Sequence, residues 1–342
     1  MSQYKNRRVI LTERAKALPS VELFSVIEDD APEPSSGEVL LQNIYVTADP
    51  GMKGWISNAK NYASVETGAT MSSFGVGKVI SSNNPNFVIG EFIAMNTGWQ
   101  EYSILNEENS TYRKVNIDNG PLSASLGLLG HSGFTAYFGL LHVGQPKNGE
   151  TVLVSTAAGS VGSAVGQFAK IKGCKTVGLA GGNEKVELCI NEFGYDHAIN
   201  YKDTDQLKNE IAKCCPNGID VYYDNVGGDT LDSVLSLMNQ NGRVVICGTA
   251  ATEGWSPPPV GLRFERHVLV NRLRIQGFIL FDYRDKYEDA LKDIYDWYSK
   301  GMLNYREDIA EGLENAPQAL CNLYSGLNKG RQLIRVTEDP TI

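Results

Sequence analysis

The clearest pattern of apolar and polar positions lies between residues 150 and 183. A short apolar run at 152–154 predicts a buried parallel strand, a turn of small residues follows at 155–160, and helical periodicity extends from 161 to 172. A second strand-like run occupies 175–180. Strand, turn, helix and strand in this order, within about thirty residues, are typical of a βαβ unit.

The alternation of strand-like and helix-like segments continues after residue 180. Because helical segments separate the strands, the pattern predicts a doubly wound parallel sheet with six strands. The further strands are predicted at 198–201, 219–223, 244–247 and 273–278, and the further helices near 204–215, 229–239 and 286–300.

Residues 1–125 have a different pattern. Short strand candidates at 39–46, 75–80 and 92–95 are separated by turn clusters rich in Pro, Ser, Asn and Gly, as in a small antiparallel barrel. The last part of the chain, residues 315–336, predicts one more helix and a strand. We expect this final strand to return to the first domain.

Glycines in the turn of the βαβ unit suit a dinucleotide. Gly159 lies at the turn, where a side chain would block the approach of a pyrophosphate. Gly162 and Gly166 share one face of the following helix, which lets that helix pack closely on the sheet. Ala157 stands in place of the usual first glycine of the Gly-x-Gly-x-x-Gly motif, which weakens the match. The alternative to a dinucleotide-binding turn is an ordinary tight turn between strand and helix. We predict dinucleotide binding because strand and helix are both in register with the glycines.

The end of the second strand favours NADP over NAD. NAD sites have an Asp or Glu about twenty residues after the glycine turn, where it accepts a hydrogen bond from the ribose 2′-hydroxyl. The sequence at 180–183 is Ala-Gly-Gly-Asn, without a carboxylate. Lys185 follows at the start of the next helix and is predicted to meet a 2′-phosphate; a solvated helix lysine is the alternative. Glu184 argues against this prediction, although the adjacent lysine can neutralise it.

Length and composition describe an ordinary soluble protein with room for two domains. The chain has 342 residues, of which 42% are hydrophobic and 21% charged. A net charge of −9 without a basic run argues against nucleic acid as a partner. The N-terminus lacks the apolar core of a signal peptide, and no stretch approaches the length of a membrane span. We therefore expect a cytoplasmic protein with no membrane partner.

The cysteines and histidines are dispersed along the chain. None of the six cysteines belongs to a Cys-x-x-Cys pair, and the adjacent Cys214 and Cys215 cannot chelate one ion in the usual way. The four histidines are scattered as well. The spacing therefore predicts no zinc site, structural or catalytic, and thiols kept in a reducing compartment.

Short motifs spread over nearly the whole chain resemble those of one family. They are ADPGMKG at 48–54, GWQEY at 98–102, TAY at 135–137, AGSVGSAVGQ at 158–167, DNVGG at 224–228 and GLNKG at 326–330. A barrel-like domain ahead of a nucleotide-binding domain resembles the medium-chain dehydrogenase/reductase superfamily. The motifs narrow the resemblance to its zinc-independent prostaglandin reductase, curcumin reductase and alkenal double-bond reductase family.

The resemblance implies a fold, a reaction and an assembly. The fold is α/β, with a doubly wound parallel (Rossmann) sheet in an NADP-binding domain at 127–300 and a GroES-like β-barrel catalytic domain at 1–126 and 301–342. The reaction is the NADPH-dependent reduction of a carbon–carbon double bond conjugated to a carbonyl, with hydride transfer to the β-carbon. The substrate is a small apolar α,β-unsaturated ketone or aldehyde, and the protein is expected to be a homodimer.

The same resemblance assigns residues to the cofactor and the substrate. Lys185 and Tyr201 would hold the 2′-phosphate. Tyr62 would face the substrate and is the candidate for polarising its carbonyl, with an aromatic lid residue as the alternative. The other residues implied to bind the cofactor are Thr135, Ala158, Gly159, Ser160, Val161, Gly162, Gly182, Asn225, Cys247, Gly248, Phe278, Ile279 and Asn328.

The chain departs from the family pattern on the substrate side. Gly51 stands where the family often has Tyr, and the loop at 249–255 replaces a Ser-x-Tyr-Asn loop, so two substrate-side tyrosines are absent. Three prolines follow at 257–259, and this stiff segment is expected to be either a lid over the site or a plain connector. Four aromatic residues are candidates for lining an apolar substrate pocket: Trp55, Trp255, Phe281 and Tyr283. Ordinary packing is the alternative for all four.

The expected chemistry needs a group that stabilises negative charge. Hydride transfer to the β-carbon leaves charge on the carbonyl oxygen, and a Tyr hydroxyl, a cofactor ribose hydroxyl or backbone N–H groups would stabilise it. His131 is a further candidate acid, with a structural histidine as the alternative. Two other functions stay open at this point: an NADPH quinone oxidoreductase and a non-catalytic NADPH-binding protein.

Overall fold

The computed structural model describes residues 4–58, 61–252, 254, 257 and 259–342. The chain divides into two units, each with its own sheet and its own buried core. Unit 1 comprises Met1–Gly127, Glu307–Asn328 and Gln332–Ile342, and unit 2 comprises Leu128–Arg306 and Lys329–Arg331.

Strands and helices follow one another along the chain in a β-rich first part and an alternating second part. The strands are β1 (Lys5–Leu11), β2 (Phe24–Asp30), β3 (Glu38–Thr47), β4 (Phe74–Ser82), β5 (Phe92–Asn96), β6 (Tyr102–Asn106), β7 (Tyr112–Val115), β8 (Thr151–Ser155), β9 (Lys175–Ala180), β10 (His197–Asn200), β11 (Ile219–Asp224), β12 (Met238–Ile246), β13 (Arg274–Gly277), β14 (Glu307–Glu311) and β15 (Arg331–Arg335). The α-helices are α1 (Met52–Ile56), α2 (His131–Tyr137), α3 (Ser160–Ile171), α4 (Asn183–Asn191), α5 (Leu207–Cys214), α6 (Gly228–Leu235), α7 (Glu265–Asn271), α8 (Tyr287–Ser299) and α9 (Ala316–Ser325). Within the described ranges, no helix has the length and apolar character needed to span a membrane.

Unit 2 contains the predicted parallel sheet. Six strands lie in the order β10-β9-β8-β11-β12-β13, with neighbours parallel. Every residue of β8 is buried, which explains why its run of apolar side chains has no polar alternation. The doubly wound fold predicted from the sequence is thus confirmed.

One predicted helix end is wrong. The helix expected to reach residue 239 ends at Leu235, because the N–H of Leu237 bonds to the Val234 carbonyl and closes the turn. Met238 already pairs with Ile219, so β12 begins six residues earlier than the predicted 244.

Unit 1 is organised around β3, which has ten residues. It pairs antiparallel with β4, β6 and β15 in a seven-stranded sheet. Six of the strands lie in the order β14-β15-β3-β4-β5-β7, and the seventh, β6, pairs with β3 outside this order; β1 and β2 form a separate antiparallel pair. Gly75 and Gly77 lie within β4. The return of the tail to the first domain is confirmed, since Leu333 in β15 pairs with Thr47 in β3.

Candidate cofactor and substrate site

The turn after β8 brings backbone N–H groups to the start of α3. Thr156 is left-handed, with a φ of 55°, which is uncommon for a β-branched residue. Ala157 is buried, and its N–H donates to a carbonyl of β9 at 2.9 Å. Gly159 caps α3, so Ser160 and Val161 lie in the first helical turn, which contains no acidic side chain that would repel an anion.

Gly162 and Gly166 let α3 approach the turn and Tyr195 closely, whereas the sequence predicted that they allow close packing on the sheet. A Cβ on Gly162 would lie 2.2 Å from the Thr156 carbonyl oxygen, and a Cβ on Gly166 would lie 2.2 Å from the Tyr195 ring. The Tyr195 hydroxyl also donates to the Gly162 carbonyl at 2.6 Å. A side chain at Gly162 would force the helix away from the turn, and one at Gly166 would collide with the Tyr195 ring.

The residues of this turn fit the pyrophosphate of a dinucleotide. Free N–H groups and the positive dipole end at the start of the twelve-residue α3 favour an anion. Ala157 is accommodated in place of the usual first glycine because Gly178 faces it; a Cβ on Gly178 would lie 2.7 Å from the Ala157 Cβ. The residues predicted to cradle the pyrophosphate, from Ala158 to Gly162, therefore lie together at the carboxyl end of β8.

A second group of loops follows β9 and β10, which are parallel neighbours with Asn200 opposite Ala180. Gly182 caps α4 with a φ of 112°, a conformation that other residues rarely adopt. Its N–H donates to Asn200 Oδ1 at 2.8 Å, and the N–H of Lys202 donates to the same oxygen at 3.1 Å. The Asn200 side chain therefore ties the ends of the two strands together.

The residues predicted to hold a 2′-phosphate lie in these two loops. Lys185 is in the first turn of α4, and Tyr201 directly follows β10, with its hydroxyl 2.8 Å from the position of a Cβ on Gly181. Glu184 pairs with Lys329, with 2.6 Å between Nζ and Oε1, and this hydrogen bond lowers the pKa of Glu184. The hydrogen-bond partner of Glu184 is thus Lys329, and the charge of the adjacent Lys185 also lowers the pKa of Glu184, in line with the sequence expectation.

Asp224, at the end of β11, anchors a third loop from inside. It is fully buried, and its Oδ1 accepts hydrogen bonds from the N–H groups of Val226 and Gly227 and from the Tyr222 hydroxyl, each at 2.9 Å. Burial raises the pKa of Asp224. Its Oδ2 has no hydrogen-bond partner among the residues that the structure describes.

Asn225 is held against the end of β8. Its N–H donates to Ser155 Oγ at 2.8 Å, and its Nδ2 donates to the Ser155 carbonyl at 2.7 Å. Gly248 approaches so closely that a Cβ on it would lie 2.9 Å from the Asn225 carbonyl oxygen. The N–H of Cys247 donates to the Asp224 carbonyl at 2.8 Å, so the loops after β11 and β12 meet here.

Thr135, Phe278 and Ile279 complete the predicted cofactor residues of unit 2. The Thr135 carbonyl accepts a hydrogen bond from the buried Tyr223 hydroxyl at 2.9 Å. Phe278 and Ile279 follow β13 and are half-buried. The Phe278 ring lies 2.7 Å from where a Cβ on Gly139 would stand, in a π-helical segment that continues α2. π-Helical turns are frequent at functional sites.

The parallel sheet therefore collects most of the predicted cofactor residues at its carboxyl edge. The strand order reverses between β8 and β11, and ligands of open α/β sheets bind in the crevice at such a reversal. The hydrogen bonds of Ser155 and Asp224 lie at this reversal, and the sequence pattern did not predict them. Both residues are polar side chains at the ends of buried apolar strands, and that position is the signal by which they could have been found.

Tyr62 and Asn328 belong to unit 1. Tyr62 is 54% exposed, and its ring meets Trp55 edge-on with 6.3 Å between the ring centroids. A Cβ on Gly51 would lie 3.0 Å from the Tyr62 hydroxyl oxygen, so this hydroxyl occupies the space beside residue 51. Asn328 follows α9 and is partly buried.

The other candidates are mostly packed against neighbours. Tyr283 stacks on Phe138 with 4.7 Å between the ring centroids, and Trp55 is buried, which favours the packing alternative for both. His131 is half-buried, 6.1 Å from the centroid of the Phe281 ring. In the described ranges, no three His, Cys, Asp or Glu side chains gather as a metal site. The candidates outside the described residues are Trp255 and, in the proline run, Pro258.

Comparison with known proteins identifies the family. The family model "N-terminal domain of oxidoreductase" matches residues 7–112, and "Zinc-binding dehydrogenase" matches residues 160–296. The NADPH-dependent curcumin reductase of Escherichia coli is 39% identical, with 98% of each chain covered, and the 2-alkenal reductase (NADP(+)-dependent) of Nicotiana tabacum is 38% identical, with 98% of this chain and 99% of that protein covered. The chain belongs to the prostaglandin reductase, curcumin reductase and alkenal double-bond reductase family. The resemblance found in the sequence motifs is thereby confirmed.

Two solved structures share the fold of this chain. CurA from Vibrio vulnificus, solved in complex with NADPH, is 37% identical with a TM-score of 0.91, covering 97% of this chain and 100% of that one. The quinone oxidoreductase of Escherichia coli, also complexed with NADPH, has a TM-score of 0.77 at 19% identity over 96% and 99% of the two chains. The second likeness shows a common fold alone.

We predict that Lys185→Ala weakens NADPH binding by about ten- to a hundredfold and leaves NADH binding unchanged. A hydrogen bond to a charged phosphate contributes roughly 1.5–3 kcal/mol, and only NADPH has the 2′-phosphate. Calorimetric titration with NADPH and with NADH measures the two dissociation constants. Lys175→Ala, at the opposite end of β9, is the control for losing one positive charge. An equal loss for both cofactors would show that Lys185 does not bind the phosphate.

Proposed function

We propose that this chain reduces the carbon–carbon double bond of α,β-unsaturated ketones and aldehydes with NADPH, by hydride transfer to the β-carbon. The observation that carries the proposal is the carboxyl edge of the unit 2 sheet. A glycine turn opens α3, and the next strand ends have Lys185 and Tyr201 but no carboxylate at 180–183. The curcumin and 2-alkenal reductases of the same family support the reaction class.

The predicted cofactor residues divide into three groups in this proposal. The turn before α3 holds the pyrophosphate, Lys185 and Tyr201 hold the 2′-phosphate, and the loops after β11, β12 and β13 position the ribose and nicotinamide. The last group is Asn225, Cys247, Gly248, Phe278 and Ile279, with Thr135 from α2 and Asn328 from unit 1. Unit 2 then serves as the NADP-binding domain, which the sequence placed at 127–300, and unit 1 as the catalytic domain, which it placed at 1–126 and 301–342. Residues 301–306 and 329–331 belong to unit 2, and residue 127 belongs to unit 1.

The chain's own part in the chemistry is to orient the substrate and stabilise charge. Bound NADPH supplies the hydride. Negative charge then develops on the substrate's carbonyl oxygen, and we assign its stabilisation to the Tyr62 hydroxyl. A donated hydrogen bond is stronger to the developing oxyanion than to the neutral carbonyl, so it lowers the barrier. The α-carbon takes its proton from water or an acidic hydroxyl.

The reaction predicts where a label will appear. With NADPH deuterated at the transferred position, an enone or enal should give a saturated carbonyl product with deuterium on the β-carbon. Mass spectrometry and NMR of the product measure this. Label on the carbonyl carbon of an allylic alcohol would identify a carbonyl reductase instead. Turnover with quinones alone would favour the quinone oxidoreductase, and no turnover with any acceptor would favour a non-catalytic binder.

Tyr62→Phe should lower kcat by around a hundredfold or more. Loss of one hydrogen bond that acts in the transition state costs about 2.7–4 kcal/mol. Steady-state kinetics with one enone measure the change. Tyr112→Phe removes a hydroxyl elsewhere in unit 1, where it donates to Glu107 at 3.0 Å, and serves as the control. A change in KM alone would make Tyr62 a wall of the pocket.

We propose that the enzyme works without zinc, although one matching family model is described as a zinc-binding dehydrogenase. In the described ranges no three His, Cys, Asp or Glu side chains gather as ligands of one ion, and none of the six cysteines belongs to a Cys-x-x-Cys pair. Exhaustive chelation should leave turnover intact. One zinc ion per chain by elemental analysis, with turnover lost on its removal, would contradict the proposal.

The thiols and an exposed face of unit 2 support two further proposals. All six cysteines are free, which suits the reducing cytoplasm, and cell fractionation tests that location. Leu262 and Leu269 are 72% and 76% exposed, and β13 is an edge strand of the six-stranded sheet. We propose a homodimer formed through the exposed leucines and the edge of β13. Light scattering should give twice the chain mass, and Leu269→Lys should shift it to the monomer; a monomeric unchanged protein would refute the dimer.

A further inference from the structure

Lys202 folds back across Gly181 at the end of β9. A Cβ on Gly181 would lie 3.1 Å from Lys202 Cε and 2.8 Å from the Tyr201 hydroxyl oxygen. Both side chains therefore fill the space into which a side chain at position 181 would extend. In NAD-binding sheets the carboxylate that binds the ribose 2′-hydroxyl comes from the end of this strand. Here the Tyr201 hydroxyl and the Lys202 side chain occupy that place, so a positive charge stands where NAD-binding sheets have a negative one.

The neighbouring charges leave the Lys202 ammonium available to an anion. In the part of the chain that the structure describes, this ammonium makes no hydrogen bond or ion pair, and the backbone N–H of Lys202 is fixed by Asn200. Two carboxylates of the same loops have other partners. Glu184 pairs with Lys329, and Asp203 accepts a hydrogen bond from Asn200 Nδ2 at 2.6 Å.

We propose that Lys202 is a specificity-determining residue that contacts the 2′-phosphate of NADPH beside Lys185 and Tyr201. The inference rests on the proposed function, in which NADPH is the cofactor. An ammonium is a compact point charge suited to phosphate. The lysine stem lies over Gly181 although Lys202 is exposed, so its ammonium can reach the strand end without being buried. Asn200 positions the Lys202 backbone and, through Gly182, the start of α4.

The test is binding of cofactor fragments to the intact protein, which needs no turnover. Calorimetric or competition titrations compare 2′,5′-ADP with 5′-AMP, and NADPH with NADH. Lys202→Met keeps the apolar stem over Gly181 and removes the charge. It should weaken 2′,5′-ADP and NADPH about tenfold and leave 5′-AMP and NADH unchanged. Lys202→Arg should retain most of the preference. Lys208→Ala, an exposed lysine in α5, is the control for net charge and should match the unchanged protein.

Two outcomes separate this inference from the proposed function. If Lys202→Met binds 2′,5′-ADP as the unchanged protein does, or loses 5′-AMP equally, Lys202 does not recognise the phosphate, and the NADPH assignment stands without it. If the unchanged protein binds 2′,5′-ADP no better than 5′-AMP, the assignment of NADPH fails, and the role of Lys202 fails with it.

Discussion

The close contact between Tyr195 and helix α3 is the constraint on which the cofactor edge depends. The Tyr195 ring lies against Gly166, and its hydroxyl bonds to the carbonyl of Gly162, one turn earlier in the helix. Gly162 in turn touches the carbonyl of Thr156. Overpacking such a contact costs about 1–3 kcal/mol, so a side chain at either glycine would move the start of α3 and the N–H groups that face the phosphates.

Polar side chains at strand ends fix the loops that follow. Asn200 ties the loops after β9 and β10, and Asp224 with Ser155 ties those after β8 and β11. Burying the Asp224 carboxyl is costly, and the donors gathered on its Oδ1 offset part of that cost. These loops are thereby held by bonds between neighbouring strands, so their shape does not rest on their own turn residues.

The sequence predicted the parallel sheet well because its central strands are buried on both faces and appear as uninterrupted apolar runs. It missed β1 and β2, whose charged residues and partial burial resemble a surface loop. Local spacing found the glycine turn and Lys185. The pair between Glu184 and Lys329 joins residues 145 positions apart, and no local pattern reports such a contact. The fold of Lys202 over Gly181 likewise depends on the alignment of β10 beside β9.

The position of β15 between β14 and β3 has a consequence for biosynthesis. Unit 1 takes strands from both ends of the chain, whereas nearly all of unit 2 is continuous. During translation β3 is made early, but its neighbour β15 is added only with residues 331–335. Domains generally fold as units while the chain is growing. The strands of unit 2 are therefore all available before the sheet of unit 1 is complete. A ribosome that stalls near the end leaves Tyr45–Thr47 of β3 open to pairing with other chains, whereas β6 already covers Glu38–Gln42 on the same edge.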